Sequence, residues 1–201
     1  MPRCRPALVR TAVAAAALAG LGLAVPSAGA APHQAATAPT SAPPPARAVP
    51  KPVKAAPALV TATANRATRA IAKAQPAAVE AAAVICGSGW SLEYAETLPP
   101  HLNRLGTLFI YTKAAPTNDP NDVPVCSIFD NNTASRKWMK LKVCSNYIDD
   151  GCAEDVGNYT QYAGPVYRTR GGCGKVTAIM KNSSSSSAAL IDAVRSATTC
   201  D

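Results

Sequence analysis

The chain has 201 residues, with 20 Lys and Arg against 12 Asp and Glu, 18 Pro and 7 Cys, and a formal charge of +8. That charge does not mark a nucleic-acid binder, because of where it sits: residues 1–30 hold three bases and no acid, 31–82 six bases and one acid, and 83–201 eleven of each. Every aromatic residue lies at or beyond Trp90, so one foldable domain of balanced charge is expected at 83–201, behind a basic tail.

Arg3, Arg5 and Arg10 form a positive n-region, Thr11–Val25 is an uncharged apolar run, and Ala28-Gly29-Ala30 has the small-x-small pattern of a cleavage site. Residues 1–30 therefore read as a secretory signal peptide. The apolar run would rise only about 22 Å as a helix, short of the roughly 30 Å hydrocarbon core. No later segment is apolar enough to span a bilayer, so an exported protein with no membrane span is expected.

Nine prolines fall between Pro32 and Pro76 in a background of Ala and Thr. Without aromatics this stretch buries too little apolar area to offset its ordering entropy. Residues 31–82 therefore read as a disordered, Ala/Pro-rich basic linker, extended where proline dominates. From Leu59 to Ala74 an Ala-rich segment carrying Arg66, Arg69 and Lys73 forms at most a transient basic helix.

The domain at 83–201 reads as strands. Thr107–Thr112 is β-branched and aromatic, and Val125–Phe129 follows a turn-rich stretch from Pro116 to Pro124. Lys137–Val143 alternates, with Met139, Leu141 and Val143 on one face and Trp138, Lys140 and Lys142 on the other. Asn158–Tyr162 and Val166–Thr169 read as two strand pieces broken at Gly164-Pro165, and Val176–Met180 as a further strand. Ala188–Ala197 is ambiguous: Leu190, Ile191 and Val194 would share one face of a short C-terminal helix capped by Ser187. The expected fold is all-β, a small disulfide-stabilised antiparallel sandwich or barrel.

With Cys4 removed in the signal peptide, six cysteines remain: Cys86, Cys126, Cys144, Cys152, Cys173 and Cys200. An even count in an exported domain of this size reads as a disulfide framework. Zinc is disfavoured, since there is no CxxC pair and His101 is the only histidine of the domain. Cys144 and Cys152 flank a short polar loop and form a plausible local bridge; spacing leaves the other pairings open.

The residues Cys86-Gly87-Ser88-Gly89-Trp90, Gly106–Tyr111 with Cys126, and above all Gly157-Asn158-Tyr159-Thr160-Gln161-Tyr162-Ala163-Gly164-Pro165-Val166-Tyr167 carry a likeness over about 86–201. They resemble the spore-associated protein A family of small proteins secreted by filamentous actinomycetes. The resemblance implies secretion, association with a spore or cell surface, and no established enzymatic activity. It also implies that Cys86, Cys126, Cys173 and Cys200 form the common set, with Cys144 and Cys152 an extra pair. The chain departs from the family in having Gly174-Lys175-Val176 where a Trp-Gly pair usually follows Cys173.

Candidate chemistry is sparse. His101 follows Pro99-Pro100 and reads as an exposed loop residue. Asp149, Asp150, Glu154 and Asp155 cluster around Gly151-Cys152 and read as a solvated acidic loop, their spacing unlike an EF-hand. Trp138, Lys140 and Lys142, with Arg136 and Lys137 beside them, form the best candidate surface, where an aromatic beside cations can grip an anionic polymer or a sugar. Tyr159, Tyr162 and Tyr167 surround Gly164-Pro165 and are the second ligand-binding candidates. No catalytic residue, metal site or cofactor is assigned, and no nucleic-acid partner is expected. The expectation is a structural or surface-associated exported protein whose partner is a spore or cell-wall component. The alternative is a binding or inhibitory module for a wall polymer, a sugar or a secreted hydrolase.

Overall fold

The computed structural model describes residues 60–100 and 103–200. The signal-peptide segment at 1–30, linker residues 31–59 and His101 lie outside the described residues.

Eight strands run in chain order: β1 (Ser91–Leu98), β2 (Gly106–Thr112), β3 (Val125–Asn131), β4 (Lys137–Cys144), β5 (Cys152–Tyr159), β6 (Tyr162–Arg168), β7 (Lys175–Lys181) and β8 (Ile191–Ser196). They pair antiparallel as two four-stranded sheets, ordered β1-β2-β3-β6 and β5-β4-β7-β8. The alternation in β4 explains the second sheet. Met139, Leu141 and Val143 point inward with Val176, Ala178 and Met180 of β7 and meet Leu108, Ile110 and Phe129 of the first sheet. Their opposite faces stay wet, as expected of a half-covered antiparallel sheet.

The first sheet is different. β2 is buried at every position, so Phe109 and Tyr111 need cover on the face away from the sandwich core. They receive it from two helices, α1 (Arg66–Ala74) and α2 (Pro76–Cys86). Val79, Ala82 and Cys86 of α2 pack with Leu92, Ala95, Phe109, Tyr111 and Ile128, and Val60 and Ile71 close the margin. The Tyr111 hydroxyl donates to the Val79 carbonyl at 2.6 Å. Asn65 caps α1 by accepting from the Thr68 N–H at 2.8 Å, and Pro76 opens α2 where its missing N–H costs nothing.

This corrects the linker boundary at 82. Residues from Val60 onward belong to the folded unit and form its third layer. The Thr61 N–H bonds the Leu92 carbonyl at 3.0 Å, and the Thr68 hydroxyl accepts from the Ala95 N–H at 3.0 Å, so this segment also covers the free edge of β1. The physical reason is that a segment too poor in large side chains to fold alone becomes ordered once a fully apolar strand offers its second face.

Three further expectations change. Ile191–Ser196 is a strand paired with β7, not a helix: Ile191 and Ala193 point inward while Asp192 and Val194 point out. The acidic stretch from Cys152 is strand β5, alternately exposed and half-buried, its low apolar content masking the period. The chain then turns between sheets at Thr160–Gln161, while β6 runs unbroken through Gly164-Pro165. Pro165 is tolerated there because β6 is an edge strand.

Disulfides join Cys86 to Cys126, Cys144 to Cys152 and Cys173 to Cys200. The first staples α2 to β3, the second links directly opposed positions of β4 and β5, and the third ties the β6–β7 connection to the C-terminal segment. Near that connection backbones touch: a Cβ on Gly172 would fall onto the Pro120 carbonyl oxygen, and one on Gly174 onto that of Cys144.

Candidate functional site

With the helices covering the first sheet, the outer face of the second sheet is the broad strand surface left open among the described residues. The register sets its side chains in rows. Trp138 lies between Asn158 and Lys181; Lys140 between Val156 and Ile179, with Asp192 beyond. Lys142 lies between Glu154 and Thr177, with Val194 beyond, and the last row holds the Cys152–Cys144 disulfide, Lys175 and Ser196. The four rows thus carry one lysine each, Lys181, Lys140, Lys142 and Lys175, at a spacing of about 7 Å along the strands.

Charge on this face is partly compensated. Lys140 bonds Glu154 at 2.8 Å, and its ammonium holds the Glu154 carboxyl below its ordinary range. The Lys181 ammonium sits 5.4 Å from the Trp138 ring centroid, and Lys175 donates to the Ser196 hydroxyl at 3.0 Å. Lys137, at the margin, donates to the Asn182 side-chain oxygen. Four lysines against Glu154 and Asp192 leave a net positive surface. Val156 and Val194 are 42% and 53% exposed on it, and Trp138 lies half-buried among them. A strand face of this kind can lie along an extended anionic chain, with Trp138 for an apolar or sugar ring.

Trp138, Lys140 and Lys142 therefore share a face as the alternation predicts. Lys175, Lys181, Ile179 and Val194 join them; the same period in Lys175–Lys181 was the signal for the β7 residues.

The tyrosines do not assemble into one groove. Tyr159 points inward at the end of β5, packs against the sandwich core and donates to Asp155. Tyr162 packs at the margin of the helical layer. Tyr167 is 44% exposed beside the end of α2, where its hydroxyl donates to the Cys86 carbonyl at 3.2 Å. Its ring lies 5.9 Å from that of Trp90, which carries the Lys113 ammonium at 4.7 Å.

The acidic cluster is likewise dispersed. Asp150 pairs with Arg170, Glu154 with Lys140, and Asp155 turns inward to accept from Tyr159 and the Gly164 N–H. Among the described residues no group of three or more His, Cys, Asp or Glu is placed to hold a metal.

These features define a disulfide-stapled β-sandwich backed by a helical layer on one side and, among the described residues, open on the other. Compared with protein-family models, curated proteins and solved structures, the chain has no significant match. Among the described residues no helix is long and apolar enough to cross a membrane.

Proposed function

We propose that the protein is an exported structural component of a spore or cell-wall surface, without catalytic chemistry of its own, and that it attaches through the outer face of the second sheet. The observation that carries this reading is the set of lysines, one in each row, that shares a face with Trp138, where no other layer of the described residues covers the sheet. Three disulfides suit an oxidising, extracellular setting. Three carboxylates of the sandwich are engaged structurally: Glu96 by Arg195, Asp155 by Tyr159, and Glu93 by the hydroxyls of Thr61 and Thr63. The partner that fits is a wall polymer bearing negative charge.

Fractionation of the native culture into medium, walls and spores, followed by a salt wash, tests this. Retention on walls or spores that is released by salt is expected. The combined Trp138→Ala, Lys140→Gln and Lys142→Gln variant should lose most of its retention. Recovery of the protein wholly in the medium, or equal retention of the variant, would overturn the proposal. A second reading, a sugar-binding module, draws on the pair formed by the half-buried Trp90 and the exposed Tyr167, whose accessible ring faces could stack on a pyranose. Binding to neutral wall glycan that is lost in Trp90→Ala and unchanged by salt would favour it.

A further inference from the structure

Two surface features outside that face fit one another. The first is the loop between β4 and β5. Ile148, at its tip, is 96% exposed, the most exposed large apolar side chain among the described residues. The loop is nevertheless held on every side. Cys144–Cys152 closes its base, and the Ser145 N–H bonds the Gly151 carbonyl at 3.0 Å. Tyr147 donates to Asp119 at 2.6 Å while the Arg170 guanidinium lies 3.4 Å over its ring. Arg170 in turn pairs with Asp150 and Asp122, and Asn146 bonds Asn121. Ile148 and Asp149 point outward, both exposed, and Asp149 has no partner among the described residues. A rigid mount for an apolar tip is the arrangement of a docking knob, since its ordering entropy is already spent before association.

The second feature is a depression of about 360 Å³ between α1 and α2. Val60, Ala72, Pro76 and Val79 line its apolar part, and Arg69, Lys73 and Glu80 line the remainder. Arg69 is committed to the carbonyls of Thr61, Ala62 and Ala64, whereas Lys73 is exposed and has no partner among the described residues. The depression has room for an isoleucine side chain, and Lys73 offers the charge that Asp149 lacks.

We propose that a second copy of this chain occupies the depression, with its Ile148 inserted and its Asp149 paired to Lys73. Knob and depression are different surfaces of one molecule, on the β4–β5 loop and on the helical layer. The proposed contact is heterologous, head to tail, and repetition extends it into a ring or an open array of more than two copies. One side chain and one ion pair make a small contact, weak in dilute solution and effective at the high local density of a surface layer. Salt weakens it by screening the Lys73–Asp149 pair.

Sedimentation of the purified, oxidised protein from micromolar to millimolar concentration tests the proposal. The average mass should climb with concentration without stopping at a dimer. Ile148→Asp should weaken association at least ten-fold, and because the site is solvent-exposed the fold is retained, as its melting transition will show. Asp149→Lys and Lys73→Glu should each weaken it several-fold, and the two together should restore it. Ala72→Glu blocks the depression: mixed with Ile148→Asp, it should give a one-to-one pair and nothing larger. A protein monomeric throughout, association indifferent to Ile148→Asp, or a plateau at a dimer would overturn the proposal. So would association that appears only in a chain beginning at Val60, because residues upstream of Val60 would then fill the depression themselves.

Discussion

The Arg195 guanidinium grips the Glu96 carboxylate through two hydrogen bonds of 2.6 and 2.9 Å, and the Tyr94 hydroxyl adds a third at 2.9 Å. Arg195 stands on β8, the last strand of one sheet, and Glu96 on β1, the first strand of the other. The opposite side of the sandwich is closed covalently, by the chain turning from β5 into β6. This side is closed by one ion pair between residues 99 positions apart. The Arg195 pKa is driven further above its ordinary value by the Glu96 hydrogen bond, outweighing the opposing effect of desolvation.

Arg195→Ala should therefore cost about 2 kcal/mol, the loss of charge-assisted bonds plus a half-buried carboxylate left without its partner. Glu96→Gln should cost less, since a neutral amide still accepts from Arg195. Urea unfolding of both variants checks the order. Equal, negligible losses would show that the sandwich closes without this pair.

Where the folded unit begins can be read from two shortened chains. One beginning at Ala83 uncovers Phe109, Tyr111 and Ile128 and removes the Val79 acceptor of Tyr111. Each such side chain contributes about 1.5–3 kcal/mol on burial, a large part of the roughly 5–15 kcal/mol of a typical domain. It should bind a hydrophobic dye and melt without a cooperative transition. One beginning at Val60 should unfold cooperatively.

The disulfides should differ in accessibility. Cys86 is 5% and Cys126 0% exposed, whereas Cys152 and Cys200 are exposed. Limited reduction followed by alkylation and mass spectrometry should label Cys144–Cys152 and Cys173–Cys200 well before Cys86–Cys126. Replacing the buried pair by alanines should cost about 3–4 kcal/mol, and the short Cys144–Cys152 loop about 2.6 kcal/mol, on the chain-entropy relation.

Asp130 supplies a pH signature. Burial raises its pKa above the ordinary 3.8, and Arg104, at 3.9 Å, only partly opposes that. The ionised form is thus disfavoured in the folded state. Its cost is absent below the unfolded pKa and complete above the folded one. Asp130→Asn should raise the melting temperature at pH 7, and the gain should shrink as pH falls through the raised pKa toward 3.8. A gain that grows on acidification would contradict this reading.

Local pattern alone was enough for the all-β class, for the face shared by Trp138, Lys140 and Lys142, and for the Cys144–Cys152 bridge, because alternation and short loops are properties of neighbouring residues. The helical layer was legible only indirectly. Leu108-Phe109-Ile110-Tyr111 is apolar on both faces, which demands a second covering element without saying which one. The Ala-rich segment around α2 gives no sign of being that element, since it lacks a core of its own and folds only against the strand it covers. Likewise, whether 188–197 became helix or strand depended on the free edge of β7. The acidic β5 was hidden because its register comes from β4 rather than from its own side chains. Which surface stays open, and which side chains from distant strands gather on it, were decided by tertiary packing, because the partner of an apolar face is a property of the whole chain.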